Sequence, residues 1–355
     1  MVRHSLIVLL LFLSSCAAVA QGATALADEN RTLPPYHNTF NPADPVRQAK
    51  PGILVCGVGD SIRSFSVFKM PTSAGLPYAE ICNKYQRLLP EGVQVYCMPI
   101  PTQGEFYTPD AAGGLTHSQA PAIEAIFAAL SDSVMAVDVY SVLAHHAAEP
   151  IYLRTDHHWA PLGAYYAAQR FAALAGVPFN DLIHYDIRSV HGFCGTMARY
   201  SGDARLKQHP EDFVYYVPRA AAYETTFVDY TLDRQRQHAV RASEPHAGSF
   251  FKAYADGSSA AYCTFMGGDP YFVHVSTKVG NNRRLLILKD SFGNALSAFL
   301  FFSFEDIYVA DCRYFMKNVV QLVRERGITD VLFANNMDHA LMPKTIASYE
   351  RYLVQ

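Results

Sequence analysis

Short runs of consecutive apolar residues recur along the chain, separated by longer stretches in which apolar residues return at helical spacing. Ile53-Leu54-Val55-Cys56 predicts a buried strand, and a helix is expected over 78–89. A second strand follows over 93–98, ending at Pro99; Ser118 caps a helix that runs through Leu130, and 134–139 is a third strand. A further helix begins at Pro161-Leu162-Gly163 and reaches about residue 175, where Gly176 stops it. Strands alternating with helices in this way indicate βαβ units and a parallel sheet.

Residues 183–280 break this rhythm. The aromatic runs Phe213-Val214-Tyr215-Tyr216, Thr225-Thr226-Phe227-Val228 and Tyr271-Phe272-Val273-His274-Val275 are separated by Gly, Asp and Pro, a pattern suited to an antiparallel meander or a β-rich insertion. These aromatics would offer platforms for sugar rings if exposed, and would be ordinary β-core residues if buried. From 285 the alternation resumes: strand 285–288, helix 294–302, strand 307–310, helix 316–326 ended by Gly327, and strand 331–334.

Residues 1–21 read as an export signal. Arg3 and His4 lead, an apolar stretch runs from Leu6 to Leu13, and Ala18-Val19-Ala20 offers an A-x-A cleavage site. Leu13-Ser14-Ser15-Cys16 also resembles a bacterial lipobox, in which Cys16 is acylated and anchors the chain to a membrane. Cleavage and lipid anchoring both stand open, and either makes the protein periplasmic or cell-surface. A polar, Pro-rich leader follows over 22–50, and 51–355 reads as one α/β domain. Beyond Cys16 lie Cys56, Cys82, Cys97, Cys194, Cys263 and Cys312; an even number in an exported chain permits disulfides. The apolar runs around Cys56, Cys97 and Cys312 suit buried thiols equally well.

Half of the 355 residues are apolar and only 17% are charged, which excludes a disordered chain. A net charge of −3 argues against a nucleic-acid partner. No C-x-x-C pair and no Cys/His group with zinc-ligand spacing is present, and no cofactor is expected.

Two segments carry chemistry. Thr155-Asp156-His157-His158-Trp159 stands just before a helix and holds the chain's one tryptophan. An aspartate two residues from a histidine can accept the Nδ1 proton and leave Nε2 as a general base. Spacing alone does not say which histidine turns to the site, and Asp156, His157 and His158 could also bind a divalent ion, as in a metallohydrolase. The second segment is Leu285-Leu286-Ile287-Leu288-Lys289-Asp290-Ser291-Phe292-Gly293-Asn294. A strand running into Asp-Ser and then a helix places a serine Oγ at the top of a sheet, beside backbone N–H groups that can stabilise an oxyanion. The bland alternative is a serine that only caps the helix.

The order of the following elements favours the nucleophile. Ser291 ends one strand, Asp311-Cys312-Arg313 the next and Asn335-Asn336 the one after, with the Asp-His element upstream. A competing Gly59-Asp60-Ser61 block spells the usual nucleophile motif more literally, but the Asn336-Met337-Asp338-His339 ending offers no aspartate three residues before His339. His145-His146 reads as a solvated helix end.

Residues 155–165 (TDHHWAPLGAY) and 288–335 (beginning LKDSFGNALSAFL) resemble the bacterial DHHW proteins, which are related to the SGNH-like domains of the alginate O-acetyltransferases. The resemblance implies a circularly permuted three-layer α/β/α SGNH-hydrolase-like sandwich with a β-rich insertion over about 183–280. It also implies a triad of Ser291 (nucleophile), His158 (base) and Asp156 (orienting acid). Lys289 replaces the glycine of the usual G-D-S, so Arg313, Asn335 and Asn336 are oxyanion or substrate-binding candidates by position only. The expected function is acyl transfer on a surface or secreted polysaccharide, by an acetyl esterase or an O-acetyltransferase. A transferase would need a membrane acetyl-donor partner. The alternative is a non-catalytic glycan-binding or exopolysaccharide-assembly protein that keeps the fold.

Overall fold

Continuous apolar runs such as Leu285-Leu286-Ile287-Leu288 lie buried in the middle of an eight-stranded sheet in the computed structural model, which describes residues 33, 35–235 and 239–354. The strands stand in the order His246–Ala247, Tyr223–Val228, Phe272–Thr277, Asp306–Asp311, Arg284–Lys289, Asp330–Asn336, Gln94–Ile100 and Val134–Ala136. The last five are mutually parallel, and Phe272–Thr277 and Tyr223–Val228 join antiparallel. The expected signal sequence, its Cys16 and most of the leader fall outside the described residues.

Near-continuous burial along the parallel strands means that both faces are covered. Phe333 pairs in register with Cys97, so Tyr96 and Phe333 point to opposite faces. Phe333 meets Tyr85 and Tyr349, on helices Leu76–Leu88 and Pro343–Arg351. Tyr96 meets Phe171 on helix Pro161–Ala175, which Gly176 ends at a φ of +64°. Helix, sheet and helix therefore form three layers. The Gln94–Ile100 strand runs past Pro99, whose nitrogen faces the side where pairing to Val134–Ala136 has already stopped, so the missing N–H breaks no ladder.

Three expectations change. The Ile53–Cys56 strand lies outside the parallel sheet, in a separate antiparallel sheet with Val46–Lys50 and Arg63–Ser66. The leader is therefore structured at its C-terminal end: Val46 packs against Leu54, Cys56 and Phe65, a contact too sparse in apolar residues to register as a sequence pattern. The 183–280 stretch is also not one separate piece. Tyr185–Phe193 pairs with Glu211–Pro218 alone, whereas Tyr223–Val228 and Phe272–Thr277 extend the main sheet. Its aromatics Phe213, Tyr215, Tyr216, Phe227 and Tyr271 are buried core residues, not exposed sugar platforms. Cys56, Cys82, Cys97 and Cys312 are buried thiols, Cys194 and Cys263 are partly buried, and none of the six is disulfide-bonded.

Candidate active site

Asp156 and His158 sit in the loop between helices Tyr140–His145 and Pro161–Ala175, which a β-bridge between Tyr152 and Trp159 closes. Trp159 is fully buried, and its Nε1–H donates to the Phe292 carbonyl at 3.1 Å, which pins this loop to the segment carrying Ser291. Asp156 is held from every side. Its Oδ1 accepts from the His158 backbone N–H at 3.1 Å and from the His158 ring Nδ1–H at 2.6 Å. Its Oδ2 accepts from the Thr196 N–H at 2.7 Å and the Thr196 hydroxyl at 2.9 Å, while Gln103 Nε2 donates to its backbone carbonyl at 2.8 Å. Burial by itself would raise the Asp156 carboxyl, but the charge and hydrogen bond of His158, then His157 and the Thr196 N–H, outweigh it and hold the group well below the usual carboxylate range.

With its Nδ1 proton given to Asp156, His158 presents a lone pair at Nε2, which lies 2.7 Å from Ser291 Oγ. The serine hydroxyl therefore donates to the imidazole, the arrangement a general base needs. The ring stacks on Tyr262 with centroids 3.7 Å apart and planes 6° from parallel. The Tyr262 hydroxyl donates to the Ser291 carbonyl at 3.0 Å, so one residue fixes both the imidazole plane and the serine backbone.

Ser291 follows strand Arg284–Lys289 and precedes helix Phe292–Ala298, with unstrained helical dihedrals. Asp290, fully buried, braces the turn: Oδ1 accepts the Phe292 N–H at 2.9 Å and Oδ2 the Asn336 N–H at 2.8 Å. The Ser291 N–H has no acceptor among the described residues. Lys289 is buried and its ammonium bonds Asp311 at 2.7 Å.

The three positional oxyanion candidates separate. Asn335 is a core residue: its Oδ1 accepts from Tyr78 at 2.9 Å and Tyr349 at 2.7 Å, and it does not border the site cavity. Arg313 is committed to carboxylates, Asp311 at 2.7 Å and Asp269 at 2.9 Å, which hold its guanidinium away from that cavity. Asn336 does border it. This cavity of about 80 Å³ is also lined by Phe65, Gln103 and His339, and by His157 and Phe292, the sequence neighbours of His158 and Ser291 and not those two residues themselves.

The competing motif lies elsewhere. Ser61 is in an exposed turn between strands Ile53–Cys56 and Arg63–Ser66, with its hydroxyl donating to the Val58 carbonyl at 2.8 Å, and Asp60 pairs with His209. His339 lies beside Asp290 and Asn336 instead of Ser61. His146 stacks on Tyr166 and bonds Glu149.

Asp156, His157 and His158 bring ligand atoms within 4.8 Å of one another. Both nitrogens of His158 and Nδ1 of His157 already make hydrogen bonds, so a metal would have to displace the Asp156 and Ser291 contacts. Gln103, Gly195, Thr196 and Tyr262 complete the site and went unread in the sequence. None stands in a motif, and each comes from a segment remote from Ser291; a hydrogen-bond count for a buried aspartate is the signal that demands such partners.

The profile of the DHHW protein family matches residues 48–310. Among solved structures, a DHHW family protein from Eubacterium siraeum is 35% identical with a TM-score of 0.77, covering 87% of this chain and 98% of that one. Bacillus cereus PatB1 with a sulfonyl adduct is 17% identical with a TM-score of 0.63, covering 85% of this chain and 98% of that one. The O-acetyltransferase domain of Pseudomonas putida AlgJ is 14% identical with a TM-score of 0.44, covering 85% and 99%. No curated protein matches the chain.

Proposed function

This chain belongs to the DHHW protein family, and on that premise we propose that it is an exported SGNH-type acyl-transfer enzyme, an acetyl esterase or O-acetyltransferase acting on a surface or secreted polysaccharide. The observation that carries the reading is the unbroken hydrogen-bond chain Asp156–His158–Ser291, at 2.6 and 2.7 Å. Ser291 Oγ attacks the acetyl carbonyl while His158 Nε2 takes its proton, and Asp156 stabilises the imidazolium that forms. The imidazolium then protonates the departing alkoxide, leaving an acetyl-serine. A water or sugar hydroxyl gives its proton to Nε2, attacks the acetyl carbon and expels Oγ, which recovers the proton.

The Ser291 N–H and the Asn336 amide are the oxyanion donors we assign; preorganised donors of this kind are worth about 3 kcal/mol each. The cavity of about 80 Å³ beside the His158–Ser291 contact, lined by His157, Phe292 and Asn336, is where we place the reacting acetyl group and the edge of the acceptor that meets it. The Ser291, Asp311 and Asn336 strand ends follow one another in sequence while the Asp-His pair lies upstream, which supports reading the sheet as circularly permuted. Transfer to a glycan would draw acetyl groups from a membrane donor protein, with this chain exported and free or anchored through Cys16.

The test is turnover of a small acetyl ester by the unaltered protein, Ser291→Ala and His158→Ala. Both variants should lose at least about a thousandfold in kcat/KM, and a sulfonyl fluoride should add mass at Ser291 of the unaltered protein. PatB1 carries a sulfonyl adduct, which motivates that reagent. Equal background rates in all three proteins, without labelling, would sink the reading and leave the non-catalytic glycan-binding alternative.

A further inference from the structure

His157 stands in the middle of the site without a part in the proton relay. Its Nδ1 lies 2.6 Å from Thr196 Oγ1, and that hydroxyl lies 2.9 Å from Asp156 Oδ2. A carboxylate only accepts, so the single Thr196 proton goes to Asp156, and Thr196 Oγ1 must accept from His157 Nδ1–H. The tautomer follows: His157 Nε2 bears a lone pair and makes no hydrogen bond with the described residues. The side chain is 38% exposed and lines the cavity beside Phe292 and Asn336. Burial, reinforced by His158, pushes the imidazole down to about 3 against the opposing pull of Asp156, which keeps the acceptor neutral.

The two imidazoles pack with centroids 3.8 Å apart. An attacking alcohol has one proton, committed to His158, so a hydrogen bond to His157 must come from a second O–H on the same molecule. We propose that His157 Nε2 binds the neighbouring hydroxyl of a vicinal diol whose other hydroxyl attacks the acetyl group on Ser291, so that the site selects polyols and sugars over simple alcohols. The inference rests on the acyl-transfer reading above. In the transfer step the attacking O–H gives its proton to His158 Nε2 as its oxygen bonds the acetyl carbon. The carbon–Oγ bond breaks and Oγ regains that proton, while the neighbouring hydroxyl keeps its own.

The experiment uses an activated acetyl ester with equimolar propane-1,2-diol and propan-1-ol in one reaction, and reads the ratio of the acetylated products. That ratio is independent of overall rate. The unaltered protein should favour the diol by about tenfold per hydroxyl, the worth of one hydrogen bond. His157→Phe should bring the ratio close to that of hydroxyl counts, and His157→Gln, which retains an acceptor, should restore part of it. Equal ratios in the unaltered protein and His157→Phe would overturn the proposal, as would hydrolysis with no transfer to either alcohol. A separate arm titrates Ser291→Ala with propane-1,2-diol and follows the His157 Nε2 nitrogen shift by NMR. A shift without any Ser291-dependent turnover would keep the diol site and remove the acyl-transfer reading; no shift would remove the site itself.

Discussion

Gly195 lies so close to Asp156 that a Cβ on it would stand 2.4 Å from both the Asp156 Cβ and Oδ2. The glycine is there for space and not for backbone freedom. Its φ of −85° suits any residue, but the Asp156 carboxylate occupies the volume a side chain would need. Gly195→Ala should therefore push the carboxylate off the His158 Nδ1–H and lower kcat for an acetyl ester by about a hundredfold, the cost of roughly an ångström of misplacement. Retention of full kcat would show that the carboxylate position does not control the imidazole. A thermal melt run alongside separates this effect from unfolding.

Acid should weaken the fold in two stages. The His157 value of about 3 lies below the ordinary imidazole value of about 6.5. The unfolded chain thus binds more protons in that interval, and the stability His157 contributes above it is lost as pH falls towards 3. Asp156, held below the usual carboxylate range, contributes stability above about 3.9 that fades on further acidification. Urea midpoints measured across this range should decline with falling pH, and His157→Phe should flatten the upper stage. A midpoint independent of pH in the unaltered protein between these limits would contradict the assignment.

Lys289 and Asp311 form a buried ion pair at 2.7 Å that Arg313 and Asp269 extend. Burial would raise Asp311, but Arg313 and Lys289 hold it low, so the cluster keeps a carboxylate ionised beneath the Ser291 turn. Lys289→Met preserves the stem against which Gly293 packs and removes one of the two cations. The expected loss is about 3 kcal/mol of unfolding free energy, measured by urea denaturation. A loss of only a few tenths would mean that Arg313 alone suffices.

Ser61 provides the counter-test. Its hydroxyl serves only its own exposed turn, so Ser61→Ala should leave acetyl-ester turnover within twofold and stability within about 0.5 kcal/mol. Loss of turnover in this variant would revive the Gly59-Asp60-Ser61 motif.

Much of the architecture was legible along the chain because its determinants are local. Helical spacing closed by Gly176, unbroken apolar runs at Leu285-Leu286-Ile287-Leu288 and the Asp-Ser step at a strand end each encode their own structure within a few residues. The Ile53-Leu54-Val55-Cys56 run shows the limit: an apolar tetrapeptide specifies a strand but not the sheet it joins, since pairing partners lie elsewhere in the chain.

By itself, the sequence determined the βαβ core and the two segments that bear an acid, an imidazole and a hydroxyl. Tertiary structure alone decided which imidazole faces Ser291, because the 2.7 Å contact joins residues 133 apart in the chain. It also turned Asn335 into the core, tied Arg313 to carboxylates and brought Thr196, Gly195 and Tyr262 around the Asp156–His158 pair. The physical reason is that a buried charge must find its hydrogen bonds wherever packing places the donors, and chain topology, not neighbouring residue types, sets those positions.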